Sequence, residues 1–136
     1  MKRKKPIRKR SIAKTLLQKS RRDCEASWKE AVKRRDKFCQ IHGATCKRGP
    51  LQADHFESRR HGSTFLDPRN GTLVCGHANR AKSRGWENMG YKIGMVVLRR
   101  EGYEVVKELQ TLAKQTKKWS LQELEDQRMF LDGLWR

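Results

Sequence analysis

The sequence predicts an α+β domain, a short strand–loop–strand–helix unit set between a basic N-terminal helix and a helical C-terminal segment. Three observations carry that expectation. Apolar residues recur at mostly helical intervals over residues 11–37. Two short runs, 51–56 and 72–75, read as strands separated by a polar loop with Gly62 and Pro68. Beyond Gly85 the pattern turns helical to the end of the chain, interrupted at Gly102. The 136 residues are 35% charged, with a mean hydropathy of −0.97, so one domain with a modest core is expected. Cores of that size commonly lean on a metal or a partner subunit.

Residues 1–10 form a run too charged and too poor in apolar side chains to fold alone, and are expected to be a disordered arm gripping phosphate. Residues 11–37 read as one long helix, or two with a break near Ser20. Its apolar side carries Ile12, Leu16, Leu17, Cys24, Trp28, Ala31 and Val32, with Arg21, Arg22, Lys29, Lys33, Arg34 and Arg35 largely outward. Trp28 reads as a core anchor rather than a base-stacking platform. Residues 38–50 hold turn chemistry, with Cys39, His42, Gly43, Cys46, Gly49 and Pro50. A helix is expected from about Gly76, carrying Asn79, Lys82 and Arg84. Further helices follow over 86–100 and 103–117. Ser120 and Glu123 make a capping box, each satisfying the other's orphan backbone donor. The helix it opens has Leu121, Leu124, Met129 (or the stem of Arg128), Leu131 and Trp135 on its apolar side, for core or subunit contacts.

The formal charge of +18 is unevenly placed. Residues 1–100 hold 27 Lys and Arg against 8 Asp and Glu, whereas residues 101–136 hold 6 against 7. The first hundred residues therefore carry a sequence-independent, salt-sensitive attraction for a polyanion. No apolar run is long enough for a membrane span, and the basic N-terminus lacks the apolar stretch of a secretory signal. Cysteines beside histidines favour metal ligation in a reducing compartment over disulfides, which places the protein in the cytoplasm of a bacterium or a phage-infected cell.

The chemistry concentrates in Asp54-His55, then Asn70, then Asn79-Arg80-Ala81-Lys82-Ser83. A Cys/His set brackets them, Cys39, His42 and Cys46 before, Cys75 and His77 after. Phosphodiester hydrolysis needs an activated water, a counterion for developing charge and a stabilised leaving oxygen. His55 titrates near neutral pH and can take the proton. Asp54 and the side-chain oxygen of Asn79 are hard donors suited to one Mg²⁺. Strand neighbours face opposite ways, so Asp54 and His55 share a site only where the strand ends or bulges. Asn70 is placed to hold the loop against His55 by hydrogen bonding.

The order Asp-His, Asn, Cys, Asn-Arg-x-Lys-Ser resembles the HNH (ββα-metal) nuclease family, in the form seen in phage junction resolvases and in RNA-guided nucleases. Over residues 38–85 the resemblance implies a ββα-metal core, with His55 as general base, Asp54 and Asn79 as ligands of Mg²⁺ (or Mn²⁺), Asn70 as the structural Asn, and Lys82 near the phosphate. The stretch Gln52-Ala53-Asp54-His55-Phe56-x-Ser58-Arg59, with Phe65-x-Asp67-x-x-Asn70, is similar to the phage NinG/Rap-type recombination endonucleases. So is the downstream layout of Gly85, Tyr91, Glu101-Gly102, Val105-Val106, Leu109 and Trp119-Ser120. Two departures stand out. A basic arm replaces the family's cysteine-rich N-terminal segment, and both Cys-x-x-Cys knuckles are altered, the first to Cys39-x-x-His42 and the second with Ala78 in place of its last Cys.

A structural zinc wants four thiolate or imidazole donors. Cys39, His42 and Cys75 come first, Cys46 is the preferred fourth and His77 the reserve; the alternative is that the knuckles are metal-free and the cysteines fill core space. Cys24, without a local partner, reads as a small buried side chain. Arg59, Arg60 and His61 border the loop, and Arg59 and Arg60 with Lys82 and Arg84 are the candidate DNA contacts. The resemblance implies an endonuclease leaving 5′-phosphate and 3′-hydroxyl ends, acting on branched DNA such as Holliday junctions. A homodimer through the near-neutral segment 86–136 suits two coordinated cuts. The rivals are a nicking nuclease indifferent to junctions, a non-catalytic zinc module that binds nucleic acid, and a basic RNA-binding protein. The last leaves the Asp-His and Asn-Arg-x-Lys-Ser pattern unexplained.

Overall fold

In a computed structural model, Lys2 and residues 11–136 are described, and the rest of the basic arm expected over residues 1–10 lies outside them. Among the described residues the fold is α+β, five helices around one two-stranded antiparallel sheet. Helix α1, Ile12–Asp36, runs 25 residues without a break at Ser20. Ser11 caps it, accepting the Lys14 amide at 3.3 Å, and it stops at Lys37, whose φ of 66° leaves helical space. Cys24, Trp28, Ala31 and Val32 are buried, whereas Ile12 and Leu16 stay exposed, Leu16 on the rim of a cleft it shares with Leu121 and Leu124 of helix α5, Leu121–Gly133.

Arg34 and Arg35 do not point outward as the helical pattern suggested. Arg34 donates to the carbonyls of Leu134 and Leu131 at 2.9 and 2.7 Å, serving the last turn of α5. Arg35 donates to Pro68 and Gly71 carbonyls at 2.7 and 2.5 Å and pairs with Asp36. Helix and turn ends leave carbonyls without intrahelical partners, and these guanidinium forks supply the donors.

Strands β1, Leu51–His55, and β2, Gly71–Cys75, pair in register from Leu51↔Cys75 to His55↔Gly71. An isolated hairpin is marginal in water, and here β2 is buried along its whole length. Leu73 packs into a core with α1 and α5, whereas the adjacent Val74 packs with Cys39, Ala78, Ala81, Met89 and Ile93 on the other side. Gly71 is required by close approach: a Cβ there would lie 2.5 Å from Val32 Cγ2 and 2.7 Å from Trp28 Cζ2. A 3₁₀ turn, Pro68–Asn70, delivers the chain to β2.

Helices α2, Gly76–Ser83, α3, Met89–Glu101, α4, Tyr103–Ala113, and α5, Leu121–Gly133, complete the chain. Two boundaries and one burial pattern differ from expectation. Helix α3 begins at Met89 rather than Trp86 because Glu87 and Asn88 take φ of 57° and 50°. Helix α4 ends at Ala113, short of 117, where Ser63 Oγ donates to the Leu112 carbonyl and the chain swings to bring Trp119 in; its indole donates to Gly62 O at 2.6 Å. On α5 only Leu124 and Leu131 are buried, leaving Leu121, Met129 and Trp135 outside the core. The capping box is present, with Glu123 N to Ser120 Oγ at 3.1 Å and Ser120 N to Glu123 Oε1 at 3.3 Å. No helix of the described residues is long and apolar enough to cross a membrane.

Candidate functional site

The hairpin has a chemical cluster at each end. At the Leu51↔Cys75 end, the turn after α1 folds back through a Cys39↔Gly43 bridge with Gly43 at φ 85°, which brings Cys39, His42 and Cys46 to Cys75 at the start of α2. The four donor atoms lie within 4.8 Å of one another. His42 Nδ1 stands 3.8, 3.6 and 3.4 Å from the sulfurs of Cys39, Cys46 and Cys75. A tetrahedral ion with Zn–S of about 2.3 Å and Zn–N of about 2.05 Å demands S···N edges of about 3.6 Å. The spacing therefore fits zinc, and a donor set without carboxylate fits neither Mg²⁺ nor Ca²⁺.

Backbone amides support the sulfurs: His42 N lies 3.5 Å from Cys39 Sγ, and Ala78 N lies 3.4 Å from Cys75 Sγ. Burial works against a charged Cys39, yet hydrogen bonds from the amides of His42, Ile41 and Cys75 and from the Cys75 thiol together hold this thiol below its usual range. Burial, with the nearby Arg48, holds the His42 imidazole neutral, its ligand form. His77 is not in the set. It is the second residue of α2, with Nε2 3.3 Å from Glu87 Oε1 and its ring 6.0 Å from that of His42. Cys24 is buried and distant from the cluster, and burial pushes its thiol up to about 11.

At the His55↔Gly71 end lies an open cavity of about 740 Å³. Asp54, His55, Asn79 and Lys82 line it together with Arg59, Arg60, Glu25 and Lys29. Asp54 and His55 both reach it because β1 ends at His55, where the alternation of faces stops. His55 Nε2 is 2.9 Å from the Phe65 carbonyl oxygen. A carbonyl only accepts, so Nε2 carries the hydrogen and Nδ1 keeps its lone pair. The imidazole stacks on Trp28 with centroids 4.0 Å apart and planes 7° from parallel, and Trp28 is itself held by its indole donating to Asp67 O at 2.8 Å. Burial pushes the His55 pKa below its ordinary value, against the upward pull of the Phe65 carbonyl, Glu25 and Asp54.

Asp54 is 9% exposed, and its Oδ2 accepts from Lys82 Nζ at 2.6 Å. The same ammonium donates to the His55 carbonyl at 2.6 Å. Burial raises the Asp54 carboxyl, with Lys82 pulling the other way. Asn79 donates Nδ2 to Gln52 Oε1, which leaves its own Oδ1 for another partner. Arg59 grips the buried Glu25 carboxylate with two bonds, at 2.5 and 2.6 Å.

Asn70 does not line the cavity. Fully buried, it accepts from Glu57 N at 2.7 Å and donates to Glu57 O and Thr64 O at 3.0 and 3.2 Å. It ties together the two ends of the loop leading to the Phe65 carbonyl that holds His55. Arg84 is also outside, stacked over Trp86 at 4.9 Å, and His61 lines a separate cleft with Glu57, Gln110 and Lys114. Four contributors were not singled out for the site in the sequence: Trp28, Glu25, Lys29 and Gln52. Helical spacing puts Glu25 and Lys29 on one face of α1, a signal that was present, but which face meets β1 is a matter of packing. No family model, curated protein or solved structure matches the chain.

Proposed function

We propose that this chain is a metal-dependent DNA endonuclease of the HNH kind, cutting branched recombination intermediates such as Holliday junctions, with a structural zinc at the opposite end of the hairpin. One observation carries the reading: a neutral imidazole, held by a carbonyl on Nε2 and by a stacked indole, borders an open cationic pocket with a carboxylate beside it. The succession β1, β2, α2 supports it, since it matches the order the resemblance implies.

His55 Nδ1 takes a proton from water as the water oxygen bonds to phosphorus; the bond from phosphorus to the 3′ oxygen breaks, and that oxygen is protonated from solvent. The Phe65 carbonyl stabilises the imidazolium that forms, and Trp28 keeps the ring plane fixed. Arg60, in no ion pair among the described residues, places positive charge beside the phosphate, with Lys82 and Arg59 next to it in ion pairs with Asp54 and Glu25. Asp54 and Asn79 offer one carboxylate and one amide oxygen, donors that suit Mg²⁺ or Mn²⁺, and such an ion when bound offsets charge on the phosphate and the departing oxygen. Cys39, His42, Cys46 and Cys75 hold the zinc, and the free thiols suit a reducing compartment such as the cytoplasm. Exposed Met129, Phe130 and Trp135 on and after α5 support a dimer through the C-terminal helices.

Nicking of supercoiled plasmid with Mg²⁺ and then with EDTA tests the reading. Wild type should nick only with the metal, and His55→Ala should slow nicking by about 10²–10⁴-fold. Absence of metal-dependent nicking, or unchanged nicking by His55→Ala, overturns it. Equal cutting of a four-way junction and its matched linear duplex removes the junction preference alone. The Lys82–Asp54 pair at 2.6 Å favours a second reading, in which the carboxylate is already neutralised and the basic surface binds DNA without cutting it. The EDTA arm separates the two.

A further inference from the structure

Helix α1 carries a cationic face that runs into the His55 pocket. Gln18, Arg22, Glu25 and Lys29 recur at steps of four, three and four residues and so share one side of the helix. Two clefts open along that side. One is the His55 pocket, with Glu25 and Lys29 in its wall. The other, of about 320 Å³, is lined by Gln18, Arg21, Arg22, Glu25, Arg59 and Phe65.

Glu25 and Arg59 belong to both clefts and join them. Glu25 is the acidic side chain of this wall, and its carboxylate is covered by the two-bond grip of Arg59. That hydrogen bonding holds Glu25 ionised, below the usual carboxylate range, so the pair is neutral and fixed. The remaining cations keep their charge for something else: neither Arg22 nor Lys29 belongs to an ion pair among the described residues. From Gln18 to Lys29 is a rise of about 16 Å. One strand of DNA presents a phosphate every ~3.4 Å of axis, so this length spans about five nucleotides. Along the α1 side no exposed ring is offered to a base, since Trp28 is fully buried and Phe65 is 2% exposed; the half-buried Phe56 lines only the His55 pocket, so the helix face favours contact with phosphate over contact with bases.

We infer that this face of α1 is a rail for the nucleic-acid backbone, with Arg22 and Lys29 as its phosphate contacts and Glu25 as the positioning residue that fixes Arg59 between the two clefts. The rail leads one strand to His55 without reading its sequence. Its role as a feed to a hydrolytic site rests on the proposed function; its binding of DNA does not.

The test is fluorescence anisotropy of labelled mixed-sequence DNA, single-stranded and duplex, with the full chain over a range of salt. Arg22→Ala and Lys29→Ala each remove one phosphate contact, and alanine at exposed helix positions leaves α1 intact. Each should lower the slope of log affinity against log salt by about 0.7 to 0.9, and the double variant by about twice that. The control is Lys107→Ala with Lys118→Ala, which removes the same charge from exposed positions in neither cleft. The inference stands if the rail double variant loses clearly more slope than the control. It falls if the rail double variant keeps the wild-type slope or loses no more than the control. Failure of the nuclease reading looks different: no plasmid nicking, with the loss of slope on the rail intact.

Discussion

The two ends of one hairpin hold their functional groups in opposite ways. At the Leu51↔Cys75 end, three thiols and an imidazole face only each other, supported by backbone amides. About 14 Å along the strand, at the His55↔Gly71 end, charged groups surround open space and pair with neighbours on the rim, Lys82 with Asp54 and Arg59 with Glu25. A closed donor set spends all its bonding capacity on holding the chain together. An open one keeps a lone pair on His55 Nδ1 and an amide oxygen on Asn79 for something that arrives from solvent. The closed end also positions the open one, since Cys75 is the last residue of β2 and the cap of α2.

Cys75→Ser breaks the comparison most severely. Binding of a structural zinc is worth on the order of 10–16 kcal/mol in small domains, as much as the whole stability of most folds. Elemental analysis should find one zinc per wild-type chain, and the variant should lose both the metal and its cooperative thermal transition. A metal-free wild type with an undiminished transition would reduce the cluster to core filling.

Asn70→Ala attacks the other end by a different route. It strands Glu57 N, Glu57 O and Thr64 O, all now bonded by the buried amide, for a cost of about 3 kcal/mol. The denaturant midpoint should fall and hydrogen exchange at the Glu57 amide should quicken, while zinc content stays at the wild-type value. A loss under about 1 kcal/mol means the loop does not depend on this residue.

The smallest effect is the titration of His55. Burial lowers its pKa in the folded chain, so the neutral imidazole is favoured by the fold. The stability this contributes is complete above the unfolded value of about 6.5 and is lost as pH falls through the lowered folded value. The acid limb of nicking should accordingly lie below about pH 6.5, and an NMR titration should place the imidazole there too. Titration at or above the ordinary value would mean that solvent reaches the ring and that Trp28 does not shield it.

Elements governed by near neighbours were legible from the residues alone. The Ser120–Glu123 box joins groups three residues apart, and the apolar stripe of α1 repeats within single turns. Cys39, His42 and Cys46 fall in one turn-rich loop, and Cys46 joined them in the cluster. His77, two residues beyond Cys75, was a competitor by spacing alone; α2 starts at Gly76 and carries it round toward Glu87. Arg84 shared a helix pattern with Lys82, yet it lies just past the end of α2, where Trp86 takes it. Arg34 and Arg35 read as solvent-facing because the carbonyls they serve lie about a hundred and about thirty-five residues away in the chain.

What the sequence by itself determined was the cast: a basic chain of α+β pattern, four donors of a kind that suits zinc, and an Asp-His pair followed by two asparagines. Charge, side-chain chemistry and local periodicity are properties of short windows, so they survive without a structure. Only the tertiary structure decided that Trp28 would lie flat on His55, that Phe65 would offer its carbonyl to Nε2, and that Glu25 would hold Arg59 at the pocket's edge. Those contacts join segments 10 to 34 residues apart. They depend on how α1 settles against β2, a sum of many weak packing terms that no single stretch of chain encodes.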